Sequence, residues 1–171
     1  MRDGPPARWG DPTSSRDRTP DRRLGLGRET SGAVSRCRTF TWEVLVDWGW
    51  LPAFDEEHQA AADDVLLVVS ELVANACLHA GGPTELSLHH LYRPREAVRV
   101  EVADLSPRLP VPRLAGRAAQ LGQPGGHGLR IVAVVARRWG SLPTSTGKRV
   151  WAEVGAEGPG EQTPPDPGTA R

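Results

Sequence analysis

The stretch Asp63–Ala80, DDVLLVVSELVANACLHA, constrains this chain more than any other. At about 100° per residue, Val65, Val68, Val69, Leu72 and Ala76 fall in one stripe, and Glu71 and Asn75, four apart, project side by side on its border. Leu66, Leu67, Val73 and Leu78 make much of the remaining circumference apolar, which predicts a largely buried helix. A carboxylate and a carboxamide in such a place need partners, because an unsatisfied buried polar group costs about 1–3 kcal/mol and an unpaired charge more. Either the two bridge neighbouring backbone, or they face a ligand.

A chain of 171 residues suffices for one domain with a full core and unstructured ends. Lys and Arg total 21, as do Asp and Glu, so the long-range field that gathers nucleic acid or an anionic membrane is missing. No apolar run reaches the roughly 18 residues of a membrane span. The start, MRDGPPARWGDPTSSRDRTPDRR, lacks a signal peptide's hydrophobic core, and a cytoplasmic protein is expected. Cys37 and Cys77 fall at core-like helical positions, as buried thiols in a reducing compartment do.

Residues 1–26 are dominated by Arg, Asp, Pro, Gly and Ser and read as a disordered tail. Thr30 or Ser31 can cap a helix carrying Val34, Cys37, Thr41, Val44, Leu45 and Trp48 at helical spacing until Gly49. A second helix runs from about Glu56 to Ala80, ended by Gly81, Gly82 and Pro83. A hairpin follows, with Leu86 and Leu88 on one strand and Val98, Val100 and Val102 on the next, which delivers Asp104 to its end. His89 and His90 then fall on opposite faces of a strand.

Residues 105–124, rich in Pro, Gly and Arg, form a long loop of the kind that serves as a lid or is disordered. Gly125-Gly126-His127-Gly128 opens a helix with Leu129, Val132, Val135, Ala136 and Trp139 on one face, closed by Arg137, Arg138 and Gly140. A short strand with Leu142, a turn at Thr144–Gly147 and a final strand with Val150, Ala152 and Val154 complete a domain spanning 27–154. Residues 155–171 contain no Leu or Ile and no aromatic, and read as a second disordered tail.

A polar pair in a buried helix, an aspartate ending a strand and a glycine cluster opening a helix have one common explanation in a nucleotide site. Glycines at a helix start let backbone N–H groups approach phosphates, and the helix dipole attracts negative charge. Asn75 can present its oxygen to a Mg²⁺ ion, Glu71 can accept a proton from an attacking hydroxyl or water, and Asp104 can accept from a base's exocyclic amine. Each feature alone is common in turns and caps.

In order and spacing these motifs resemble the GHKL ATPase family, which includes DNA gyrase and the histidine kinases. Glu71-Leu72-Val73-Ala74-Asn75-Ala76 is similar to its N box, Asp104 to its adenine-binding aspartate, and Gly126-His127-Gly128-Leu129 to its second glycine box. The resemblance implies an α+β Bergerat fold: a two-layer sandwich whose mixed, mostly antiparallel sheet is covered on one face by about three helices. It also implies ATP and Mg²⁺ as ligands, with Glu71 as catalytic base, Asn75 on the metal and residues 105–124 as the ATP lid.

Where the first glycine box usually has two glycines after the aspartate, this chain reads Asp104-Leu105-Ser106-Pro107-Arg108, and Pro107 fixes a backbone angle. Ser145-Thr146-Gly147 either brings the Thr146 hydroxyl near the adenine or is a simple turn. His127 touches a phosphate or is a variable position; Arg108, Arg113 and Arg117 close on phosphates or are solvated. His79 reads as structural.

The domain size, the VVSELVANACLHA wording and the GKRVWAEV ending look most like the anti-sigma-factor serine/threonine kinases of actinobacterial type. That resemblance implies phosphoryl transfer to a Ser or Thr of a small antagonist protein, a sigma factor as further partner, and a homodimer. Two alternatives stay open: a nucleotide-gated module that sequesters a partner without catalysis, and a plain ATPase.

Overall fold

The structure is a computed structural model that describes residues 21–28, 30–92, 96–110 and 128–155. Strand β1 (Arg22–Gly25) precedes helices α1 (Ala33–Asp47) and α2 (Glu56–Ala80). Strands β2 (Pro83–Leu91) and β3 (Ala97–Asp104), helix α3 (Gly128–Val135) and strands β4 (Arg138–Pro143) and β5 (Lys148–Val154) follow. The five strands are ordered β1-β2-β3-β5-β4, and each neighbouring pair is antiparallel. This is the expected α+β architecture, with the sheet antiparallel throughout the described residues rather than mixed.

Alternation along the strands explains the two layers. Leu86 and Leu88, then Val98, Val100 and Val102, then Val150, Ala152 and Val154 turn to one face, all nearly or fully buried. Against them pack Val65, Val68, Val69, Leu72, Val73 and Ala76 of α2, in one core that also takes Leu45 of α1 and Val132 of α3. The stripe read from the sequence is therefore the core-facing side of α2. The helix begins where Asp55 Oδ1 accepts the His58 N–H at 2.8 Å, and ends at Gly81 in the left-handed conformation, φ 70°.

Three expectations need correction. Residues 22–25 are a strand, not part of a disordered tail: β1 adds to the edge of β2 through backbone pairing from Arg22↔Leu88 to Gly25↔Glu85, and Leu26 beyond it is buried. Helix α1 starts at Gly32 with no side-chain cap, so neither Thr30 nor Ser31 has that role. Helix α3 stops at Val135, and Trp139 and Gly140 lie on β4. Its helical spacing is overridden by pairing: the Arg137 N–H donates to the Glu153 carbonyl at 2.8 Å, and Trp139 stands opposite Ala152.

Residues 1–20 and 156–171, together with lid residues 111–124 and their Arg113 and Arg117, lie outside the described residues. So do Gly126 and His127. Among the described residues no helix is long and apolar enough to cross a membrane.

Candidate functional site

Glu71 sits half-buried on α2, at the border of its core stripe, where α3 packs against it. The first residue of α3 is Gly128, and its identity matters sterically: a Cβ placed there would lie 2.6 Å from Glu71 Oε2. A larger residue would turn the flexible end of Glu71 aside, so glycine leaves the carboxylate room beside the first residue of α3. The first turn of a helix carries N–H groups without intrahelical partners and the positive end of its dipole. Glu71 of α2 and Gly128, the first residue of α3, are thus brought together. Asn75, one turn further along α2, is also half-buried, as is Leu129, which packs at the edge of the core.

Asp104 ends β3 with 4% exposure, and its cross-strand partner is Lys148, the first residue of β5. Lys148, itself 5% exposed, donates from Nζ to Asp104 Oδ1 at 2.8 Å and lies 3.5 Å from the Ser106 carbonyl oxygen. The Ser106 N–H also donates to Oδ1, at 2.8 Å. Both bonds therefore end on the same oxygen. Gly147 makes the closure possible, since a Cβ there would overlap the Asp104 carbonyl oxygen and lie 2.6 Å from Leu105 Cα.

Burying two charges costs several kcal/mol each before their attraction offsets it, and an apolar pair of similar volume is often as stable or more so. Stability alone is therefore a weak reason for Asp104 and Lys148 to stand here. Thr146, by contrast, is exposed in the β4–β5 turn, which is closed by the Gly147 N–H donating to Thr144 Oγ1 at 3.0 Å. Lys148 is the residue that sequence reasoning missed. A signal existed: positions 148, 150, 152 and 154 share one face, so a lysine heads an inward-facing apolar series just as Asp104 ends the series 98, 100, 102.

The family model for the histidine kinase-like ATPase domain matches residues 45–154, from late α1 to the end of β5. The chain belongs to this family. Among curated proteins, none matches it. In this ATPase domain the matched segment contains Glu71, Asn75, Asp104 and the glycine motif, and leaves out β1.

Of the other polar candidates, Arg108 belongs to the turn after Asp104, its N–H donating to Ser106 Oγ at 3.4 Å. His79 and Arg108 are exposed. His90 is 3% exposed, stacked on Trp48 with 5.1 Å between ring centroids, and its Nε2 lies 2.7 Å from Glu96 Oε1. On the outer sheet face Arg99 donates to Glu101 at 2.7 Å and to Glu153 at 3.1 Å, and covers the Trp151 ring at 4.0 Å. His89 lies between Asp21, at 2.7 Å, and Glu101, at 3.7 Å. Burial opposes the charge on Glu101, but His89 and Arg99 outweigh it and hold the carboxyl down at about 2. Burial likewise opposes protonation of His89, yet Glu101 and Asp21 raise its pKa above the ordinary value. These opposite charges neutralise one another across the face. Among the described residues no group of three or more His, Cys, Asp or Glu could hold a metal ion.

Proposed function

We propose that this ATPase domain binds ATP and transfers its γ-phosphoryl group to a Ser or Thr hydroxyl of a small antagonist protein, in the manner of anti-sigma-factor kinases. The observation that carries the reading is the approach of the bare Gly128 Cα to the Glu71 carboxylate, which joins the one candidate base to a helix start suited to phosphate. Glu71 would take the hydroxyl proton or orient the hydroxyl for in-line attack. Gly126 and Gly128 would cradle phosphate oxygens, with His127 and Leu129 in the same motif, and Asp104 would accept from the adenine amine.

The donor chemistry fits the metal. Mg²⁺ keeps several waters and takes few protein ligands, so a single carboxamide oxygen from Asn75 beside the phosphates is enough. When bound, Mg²⁺ would neutralise charge developing on the phosphate oxygens. A sigma factor and its antagonist are the proposed partners, and a homodimer the proposed assembly.

The test uses γ-labelled ATP with the full chain and each small protein that co-purifies with it. Label on a Ser or Thr with wild type but not with Glu71→Ala supports the kinase. Equal labelling by Glu71→Ala refutes the role of Glu71. Free phosphate without any phosphoprotein would favour a plain ATPase. A binding-only module remains the second reading, motivated by Ser106 and Pro107, which stand after Asp104 in place of a flexible glycine loop. It predicts tight ATP-dependent partner capture with no transfer.

A further inference from the structure

Resting on the nucleotide-site reading, we infer that Lys148 is the second base-reading group: it donates to the ring nitrogen beside the exocyclic amine that Asp104 accepts, and so selects an adenine edge over a guanine edge. Asp104 and Lys148 are cross-strand partners at the end of the sheet, both nearly buried, and joined Nζ to Oδ1 at 2.8 Å.

The hydrogen-bond inventory decides what such a pair can still offer. Oδ1 already accepts from Lys148 Nζ and from the Ser106 N–H. The carboxylate's other oxygen, Oδ2, is used by neither bond. An ammonium carries three N–H donors, of which one is spent on Oδ1 and a second points to the Ser106 carbonyl at a long 3.5 Å. What remains is one acceptor beside one donor.

Adenine presents the complement: an amine that donates from N6 and, next to it, N1 as an acceptor. Guanine instead presents N1–H and the N2 amine as adjacent donors, which a carboxylate takes best with both oxygens. Here one of those oxygens is already doubly engaged, so guanine would leave a donor unpaired or displace Lys148 or Ser106. An unpaired buried polar group weakens binding by roughly ten-fold or more.

The experiment titrates the full-length wild-type chain, with Mg²⁺, against ATP, 1-deaza-ATP (which lacks only the N1 acceptor) and GTP. The expected result is binding of ATP, with 1-deaza-ATP and GTP each weaker by roughly ten-fold. Equal affinity for ATP and 1-deaza-ATP would overturn the role of Lys148 while leaving the ATP site standing. Absence of ATP binding would overturn both. Lys148→Met closes the cycle: it should lose about ten-fold in ATP affinity and no longer distinguish ATP from 1-deaza-ATP. Should that variant fail to fold, the comparison of nucleotides on the unmodified chain decides alone.

Discussion

Replacing Gly147 by alanine should destabilise this domain, against the usual sign for a glycine whose backbone angles suit any residue. Where the conformation is compatible, Gly→Ala stabilises by about 0.4–1 kcal/mol by restricting the unfolded chain. At Gly147 the added Cβ would overlap the carbonyl oxygen of Asp104 and lie 2.6 Å from Leu105 Cα, and both obstacles are backbone rather than a side chain that can swing away. Relief requires the β4–β5 turn to move off the end of β3 by roughly 1 Å. Overpacking of this kind costs about 1–3 kcal/mol. The same movement pulls Lys148 from Asp104, and separating a buried pair adds to the loss.

A total of about 2–4 kcal/mol follows, a fall in Tm on the order of 10 °C for a domain of this size. Urea unfolding followed by far-ultraviolet circular dichroism measures it, with Gly27→Ala as control, since a Cβ there meets nothing within 4 Å. The control should be as stable as wild type or slightly more so. If Gly147→Ala matched the control, the close approach of the turn to Asp104 would be wrong.

Shortening Val132, fully buried in α3, to alanine should cost about 2 kcal/mol and speed amide exchange of α3, because it loosens the helix that carries Gly128 to Glu71. Glu101, held at about 2 against an ordinary 4.5, should contribute up to about 3 kcal/mol above pH 4.5 and lose it as pH falls through 2. The stability difference between wild type and Glu101→Gln should therefore narrow steadily from pH 5 to pH 2, as read by urea midpoints. His89, with its pKa raised above 6.5, contributes below pH 6.5 and loses that contribution as pH rises through the raised value, so His89→Gln should flatten the alkaline side of the stability profile. The Cys37 thiol, fully buried and pushed up to about 11 by that burial, should resist alkylation at pH 8 until the protein unfolds, while half-buried Cys77 reacts sooner.

The sequence reading of α2, from about Glu56 to Ala80, matches the structure because its signals agree: sustained helical periodicity and a glycine at 81 whose left-handed conformation ends it, while the Asp55 cap is seen only in the structure. The β2–β3 hairpin is equally legible from alternation. Strand β1 is hidden because RRLG carries only one apolar side chain, and its place comes from backbone bonds to an edge that is distant in sequence. The end of α3 is misread because Ala136 and Trp139 continue a helical spacing that the ladder to β5 overrides. In the site, the resemblance of their motifs to one family links Glu71 with the Gly128 motif, and the packing of α2 against α3 then sets the two side by side. Lys148 needed register: only the pairing of β3 with β5 puts it opposite Asp104.

That α2, α3 and the end of β3 together form a nucleotide site is tested most directly by calorimetric titration of ATP with Mg²⁺ into wild type and Asn75→Ala, both first shown to be folded by circular dichroism. The wild-type chain should bind, and the loss of the carboxamide should weaken binding by roughly ten-fold or more. Absence of binding by folded wild type, or equal binding by Asn75→Ala, would contradict the account.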